Sequence, residues 1–192
     1  MNIYFVTRNR FKIAEVLDYF KSDGLEEKHN IELCVIENSI QEILHEDIRI
    51  IVKAKALEAY RHLAVPCVVE HGGIFMKALP GLPGGIGQIV WDAVGDRLCG
   101  FLNEKDSREA TARSIIGYCD GKRIRLYEGE TRGAITPSSR GDYKFNWDPI
   151  FTPEDSNLTY GEMGPQEKRK TSPTVKAWIK FLEAEFPVPV SL

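Results

Sequence analysis

The chain has 192 residues, 43% hydrophobic and 28% charged, which is enough apolar content for one globular core and too much for a disordered chain. A formal charge of −3 supplies no bulk attraction for DNA, RNA or an anionic membrane, so no nucleic acid and no membrane partner is expected. No apolar run approaches the roughly 20 residues of a membrane span.

IYFVT (3–7) is a β-branched and aromatic run and predicts a buried strand. KIAEVLDYFK follows with Ile13, Val16, Leu17 and Phe20 at helical spacing, and Asn9 is placed to cap that helix. The opening MNIYFVTRNR has no basic and then apolar leader, so no signal peptide is expected. IELCVI (31–36) reads as a second strand. IIVKAKALEAYRHLA reads as a helix ending before Pro66, and VPCVVE (65–70) as a buried strand. GGIFMKALPGLPGG (72–85) is half Gly and Pro, which predicts a loop with tight turns.

IGQIVWDAVGDRLCGFLN (86–103) is helix-like with an interruption at Gly95. Two alternating runs, ARSIIGYCD and KRIRLYEGETRGAIT, meet at Asp120-Gly121 and predict a β-hairpin. SSRGDYKFNWDPIFTPEDS (138–156) reads as a turn-rich loop. TVKAWIKFLEAEF (174–186) reads as a last helix, with Ser172 as N-cap and Pro173 at the first helical position. No repeat or linker divides the chain, so residues 1–192 form one domain. Alternating strands and helices followed by a hairpin argue for an α/β or α+β fold with a mixed sheet. The cysteines (Cys34, Cys67, Cys99, Cys119) form no CxxC pair, which reads as reduced thiols of a cytoplasmic protein and not as a zinc site.

TRNRFK (7–12) closes a strand and opens a helix, where backbone N–H groups face outward beside Arg8, Arg10 and Lys12. It reads as a phosphate cradle or as an ordinary polar turn. EKRKTS (167–172) is a second cationic cluster, either a further phosphate contact or a solvated basic loop. In FNWDP (145–149), Phe145 or Trp147 could stack on a nucleobase, or both could pack in the core. Glu42, Glu46, Asp47 and Glu70 are the acids nearest the strand ends. A magnesium–phosphate site asks for one or two carboxylates, and solvated helix-face charges are the plainer reading of Glu46 and Asp47.

Four stretches in order, IYFVTRNRFK, VVEHGGIFMKALPGLPG, RGDYKFNWDPIF and YGEMGPQEKRKTS, resemble the inosine triphosphate pyrophosphatase family nearly end to end. Its enzymes split ITP, dITP and XTP into monophosphate and pyrophosphate. The resemblance implies an α/β fold with an elongated, curved mixed sheet in two lobes and a nucleotide cleft between them. It also implies a homodimer and magnesium as cofactor. Thr7, Asn9 and Lys12 match the family's phosphate loop and Lys168 a second phosphate lysine. Phe145 matches the base-stacking aromatic, Trp147 and Asp148 the rest of that loop, and Glu42 a metal-holding carboxylate.

Three positions depart from the family pattern. Arg8 replaces the glycine of the phosphate loop. His71, after Glu70, replaces the aspartate that helps hold metal and activate water. Ser172, Pro173 and Thr174 replace the Ser-His-Arg triplet that reads the purine. Imidazole is a poor substitute for a carboxylate as a magnesium ligand, so the metal site is weakened. The resulting expectation is a protein that binds a non-standard purine triphosphate with little or no hydrolysis. Degenerate relatives of the family are expected as recognition subunits in bacterial antiphage systems. There dITP would be the signal and a sirtuin-like NAD-consuming protein the effector partner. The alternative is an active house-cleaning pyrophosphatase.

Overall fold

The computed structural model describes residues 1–142 and 145–188. Strand β1 (Asn2–Val6) leads through Thr7-Arg8-Asn9 into helix α1 (Arg10–Ser22). Asn9 caps that helix as expected, its Oδ1 accepting from the N–H groups of Phe11 at 3.1 Å and Lys12 at 3.2 Å. A short helix α2 (Leu25–His29) follows, then strand β2 (Glu32–Ile36). Helix α3 (Ile48–Leu63) is capped by Asp47, whose Oδ1 accepts from Arg49 N at 2.8 Å. Strand β3 (Cys67–Met76), helix α4 (Gly87–Val94) and a 3-10 stretch at Gly95–Phe101 come next. The predicted hairpin is strands β4 (Glu109–Cys119) and β5 (Ile124–Ile135). A short strand β6 (Phe151–Pro153) and helices α5 (Pro165–Thr171) and α6 (Pro173–Glu185) complete the chain.

The strands form one curled six-stranded sheet in the order β2-β1-β3-β4-β5-β6. β2, β1 and β3 run parallel; β3 to β6 are antiparallel neighbours. The expected mixed α/β sheet is therefore present. Alternation along the strands sends side chains to two helical layers. Val69 and Ile115 pack under α3 with Val52 and Ala56. Val68 and Ile116 face α6 and α1, where Trp178 is fully buried against Phe5, Phe20 and Phe181 in edge-on contacts at 5.1 to 5.5 Å. A separate core gathers the far ends of β3 to β6 with Leu98, Cys99 and Tyr160. These cores fill two lobes joined by the long strands β3, β4 and β5.

Four stretches depart from the sequence reading. β3 does not end at Glu70; it runs through His71, Gly72 and Gly73 to Met76, where a loop was expected. Unbroken pairing with β4, from Cys67↔Cys119 to Met76↔Ala110, satisfies its backbone. Gly73 is needed there because a side chain would meet the carbonyl oxygen of Gly84 at 2.5 Å. The basic cluster 167–172 is not a loop before a helix but most of α5, with Pro165 in its first turn. The helix-like run 86–103 is α-helical only to Val94, because Gly95 adopts φ +59°. The loop 138–156 contains β6 and a 3-10 turn at Asp148–Ile150, and its Tyr143 and Lys144 lie outside the described residues.

Candidate nucleotide site

β1 pairs with β3 only at Tyr4↔Cys67 and Phe5↔Val68. Beyond Val68, that edge of β3 has no β1 partner, and a cleft of about 710 Å³ opens between the lobes. The β1–α1 turn, the segment 38–44, the middle of β3, the 145–148 loop and the start of α6 surround it. Of the residues singled out for nucleotide binding, Thr7, Arg8, Asn9 and Lys12, then Phe145, Trp147 and Asp148, then Lys168, Ser172 and Thr174 line this one cleft, and Arg10 of the cationic turn does not. Glu42, Glu70 and His71 line it too.

Glu70 is 2% exposed. Its Oε1 accepts from Ser114 Oγ at 2.7 Å and its Oε2 meets Lys12 Nζ at 2.5 Å. Burial alone would raise its carboxyl, but the charge and contact of Lys12, the Ser114 hydroxyl and the charge of Lys55 outweigh it and hold the group below the usual carboxylate range. Glu42 is arranged similarly: Oε1 lies 2.5 Å from Lys55 Nζ and Oε2 lies 3.4 Å from His71 Nδ1. Partial burial pushes its carboxyl up, and the contacts with His71 and Lys55 pull it well below the ordinary range. Lys55 is itself buried on α3, and burial, followed by repulsion from Lys12, lowers its pKa. Two cation–carboxylate pairs thus stand side by side at the open edge of β3.

Glu70 and His71 point to opposite faces of β3, and its register carries no bulge, as alternation requires. Their reach is nevertheless shared, because the strand edge is open and the cleft wraps it from both sides. His71 lies 3.0 Å through Nε2 from the carbonyl oxygen of Gly85. A carbonyl only accepts, so Nε2 carries the hydrogen. The other nitrogen faces Glu42. Both ring nitrogens are engaged by the protein.

Residues 3–184 match the Ham1 family. This chain belongs to the Ham1 family. Its relatives include the dITP/XTP pyrophosphatase of Methanosarcina acetivorans, 34% identical over 94% of this chain and 95% of that protein. The dITP/XTP pyrophosphatase of Pyrococcus horikoshii is 31% identical over 95% of this chain and 96% of that protein. A nucleoside-triphosphatase / dITP/XTP pyrophosphatase from Mycobacterium abscessus superposes with a TM-score of 0.71 at 25% identity, covering 96% of this chain and 99% of that one. The Ham1 protein of Coxiella burnetii shares the fold, with a TM-score of 0.72 at 21% identity over 96% and 99% of the two chains.

Magnesium would need oxygen donors in this Ham1 cleft, and Glu42 and Glu70 are the carboxylates at the open edge of β3 that would hold it. Glu70 Oε2 is buried against the Lys12 ammonium at 2.5 Å, so a hard cation held there would take the place of Lys12. Among the described residues no group of three or more His, Cys, Asp or Glu is arranged to hold a metal. Glu15 and Asp148 also line the cleft, in contact with Ser172 and Lys168, whereas Glu42 and Glu70 lie at the open edge of β3, and a magnesium–phosphate site asks for one or two carboxylates. Asp47 is committed as a helix cap and joins neither donor.

At the other end of the cleft, Phe145 presents its ring near Lys168, whose Nζ is 5.5 Å from the ring centroid and 2.7 Å from Asp148 Oδ2. Ser172 caps α6 as predicted, and its hydroxyl donates to Glu15 Oε1 at 2.6 Å. Lys55, Ser114, Glu15 and Arg113 also line the cleft and were not singled out from sequence. Lys55 sits in a run that reads as an amphipathic helix, and its burial has no local signal.

Asp148 is 2% exposed, and burial pushes its carboxyl up to about 6 although Lys168 opposes the shift. Because the folded pKa exceeds the unfolded one, the folded state holds an extra proton between about 4 and about 6, and stability falls as pH rises through that window. Asp148→Asn removes this slope. Its Tm relative to wild type is expected to rise between pH 4 and pH 6, by the equivalent of roughly 3 kcal/mol at most. A Tm difference independent of pH across that range would refute the assignment.

Proposed function

We propose that the cleft binds a non-standard purine nucleoside triphosphate of the dITP/XTP type and splits it to monophosphate and pyrophosphate. The observation that carries this reading is the pair of cation–carboxylate contacts, Lys12–Glu70 and Lys55–Glu42, at the open edge of β3 in a Ham1 chain. The names of its relatives support the same substrate class. Lys12, Lys168 and the N-terminal turn of α1 offer positive charge to the phosphates, and Phe145 offers a face to the base. Glu42 and Glu70 would hold magnesium, which would supply charge neutralisation on the phosphates. His71 stands where the family resemblance implies a water-activating aspartate, and with both nitrogens engaged it is not free to take that water's proton. Hydrolysis is accordingly slow.

One observation favours a second reading, in which the nucleotide is held and not cut: the same engaged His71. Such a protein would report its ligand to an effector partner, and binding energy would shift the equilibrium of that assembly. The relatives' names weigh against it. Pyrophosphate release from dITP, XTP, ITP and dATP with magnesium, run beside thermal shift, separates the two. Turnover of the 6-oxopurine substrates is the expected result. Stabilisation of about 2.7 kcal/mol at 100 times Kd with no pyrophosphate would move the assignment to the second reading. Neither turnover nor stabilisation would end both.

A further inference from the structure

We infer that Phe11 is a positioning residue for the base seat, bracing the ring of Phe145 from behind. This rests on Phe145 receiving the base, as proposed above. Phe11 is the second residue of α1, its backbone N–H held by Asn9 Oδ1 at 3.1 Å. Its side chain is 46% exposed, an unusual placement for a large apolar group in a polar first turn. It does not line the cleft; it stacks on Phe145, with ring centroids 5.1 Å apart and planes inclined by 27°. Phe145 itself lines the cleft and is 9% exposed.

The Phe145 ring is held on a tight turn, with Phe11 stacked on it and Lys168 Nζ 5.5 Å from its centroid. The next residue, Asn146, adopts φ +47°, and the turn closes through Asp148 N donating to Phe145 O at 3.0 Å. A side chain on so tight a turn holds its orientation through what its ring touches. Phe11 offers a flat apolar surface at stacking distance, carried on a capped helix. It also stands immediately before Lys12, the lysine paired with Glu70. The first turn of α1 therefore carries both the lysine proposed to face phosphate and the ring packed on Phe145. A base stacks well only on a ring whose plane is already set, because an unfixed ring loses orientational freedom on binding.

Isothermal titration of the full chain with dITP and with inorganic tripolyphosphate tests this. Phe11→Ala is expected to weaken dITP binding about five- to tenfold and leave tripolyphosphate binding unchanged. Phe145→Ala should do the same, and the double variant should lose little more than either single one. Phe11→Tyr should keep near wild-type affinity, with KM and not kcat tracking each change in turnover. Equal weakening for tripolyphosphate in Phe11→Ala would mean damage to the phosphate loop and overturn the inference. Loss of dITP affinity in Phe145→Ala alone would refute the role of Phe11 while sparing the base seat. No loss in Phe145→Ala would remove the base seat and the inference with it.

Discussion

If the cleft splits dITP as proposed, His71→Asp is expected to raise pyrophosphate release in magnesium by about 100-fold, the scale of a positioned proton acceptor restored to its place. Three features of the site lead to this number. Position 71 lies on β3 beside the buried Glu70, at the point where the strand edge opens into the cleft. The imidazole there contacts Gly85 O and Glu42, so neither nitrogen is available to a water beside the phosphates. An aspartate cannot donate to Gly85 O, and it adds an anionic oxygen next to the two carboxylates that suit magnesium. His71→Ala, by contrast, is expected to change turnover by no more than about threefold, since the proposed reading gives that ring no step. Steady-state rates over a magnesium titration measure both. Unchanged turnover in His71→Asp, or its abolition in His71→Ala, would show that the histidine itself is the working base.

The second large effect is on folding. Lys12→Ala leaves the Glu70 carboxylate, 2% exposed, without its 2.5 Å partner. Breaking a buried pair on one side costs about 3 kcal/mol or more, because the remaining charge stays desolvated. For a chain of this size that corresponds to a Tm lower by about 6–12 °C. Ser114 and Lys55 remain near Glu70, which places the expected loss toward the smaller end. Glu70→Gln in the Lys12→Ala background should recover most of the lost stability, since a neutral amide needs no counter-charge. It should not recover nucleotide affinity. Thermal melts of the two single variants and the double one test the coupling. If Lys12→Ala lowers Tm equally in the wild-type and Glu70→Gln backgrounds, the pair carries no such energy.

Much of the fold was legible because its signals are local. β1, the capped start of α1, the Asp120-Gly121 hairpin and the Ser172–Pro173 start of α6 each follow from a few adjacent residues. β3 beyond Glu70 did not follow, because Gly72 and Gly73 carry turn chemistry. Only pairing with β4, far along the chain, and the approach of Gly84 make them strand. α2 was missed for a related reason: five residues between two left-handed positions give no usable period.

The candidate site divides the same way. By themselves the residues gave the types and order of the candidate groups: a strand-to-helix turn with cations, a basic segment near the C-terminal helix, an aromatic loop, and a histidine where the resembling family has an acid. Those are statements about residue type and order, which a chain carries in one dimension. Tertiary structure alone decided which groups are neutralised and by what. Lys12 reaches Glu70, Lys55 comes up from α3 to Glu42, and His71 turns its nitrogens to Gly85 and Glu42. Charge pairing and burial depend on distances between segments that only the folded sheet brings together, and no local pattern encodes them.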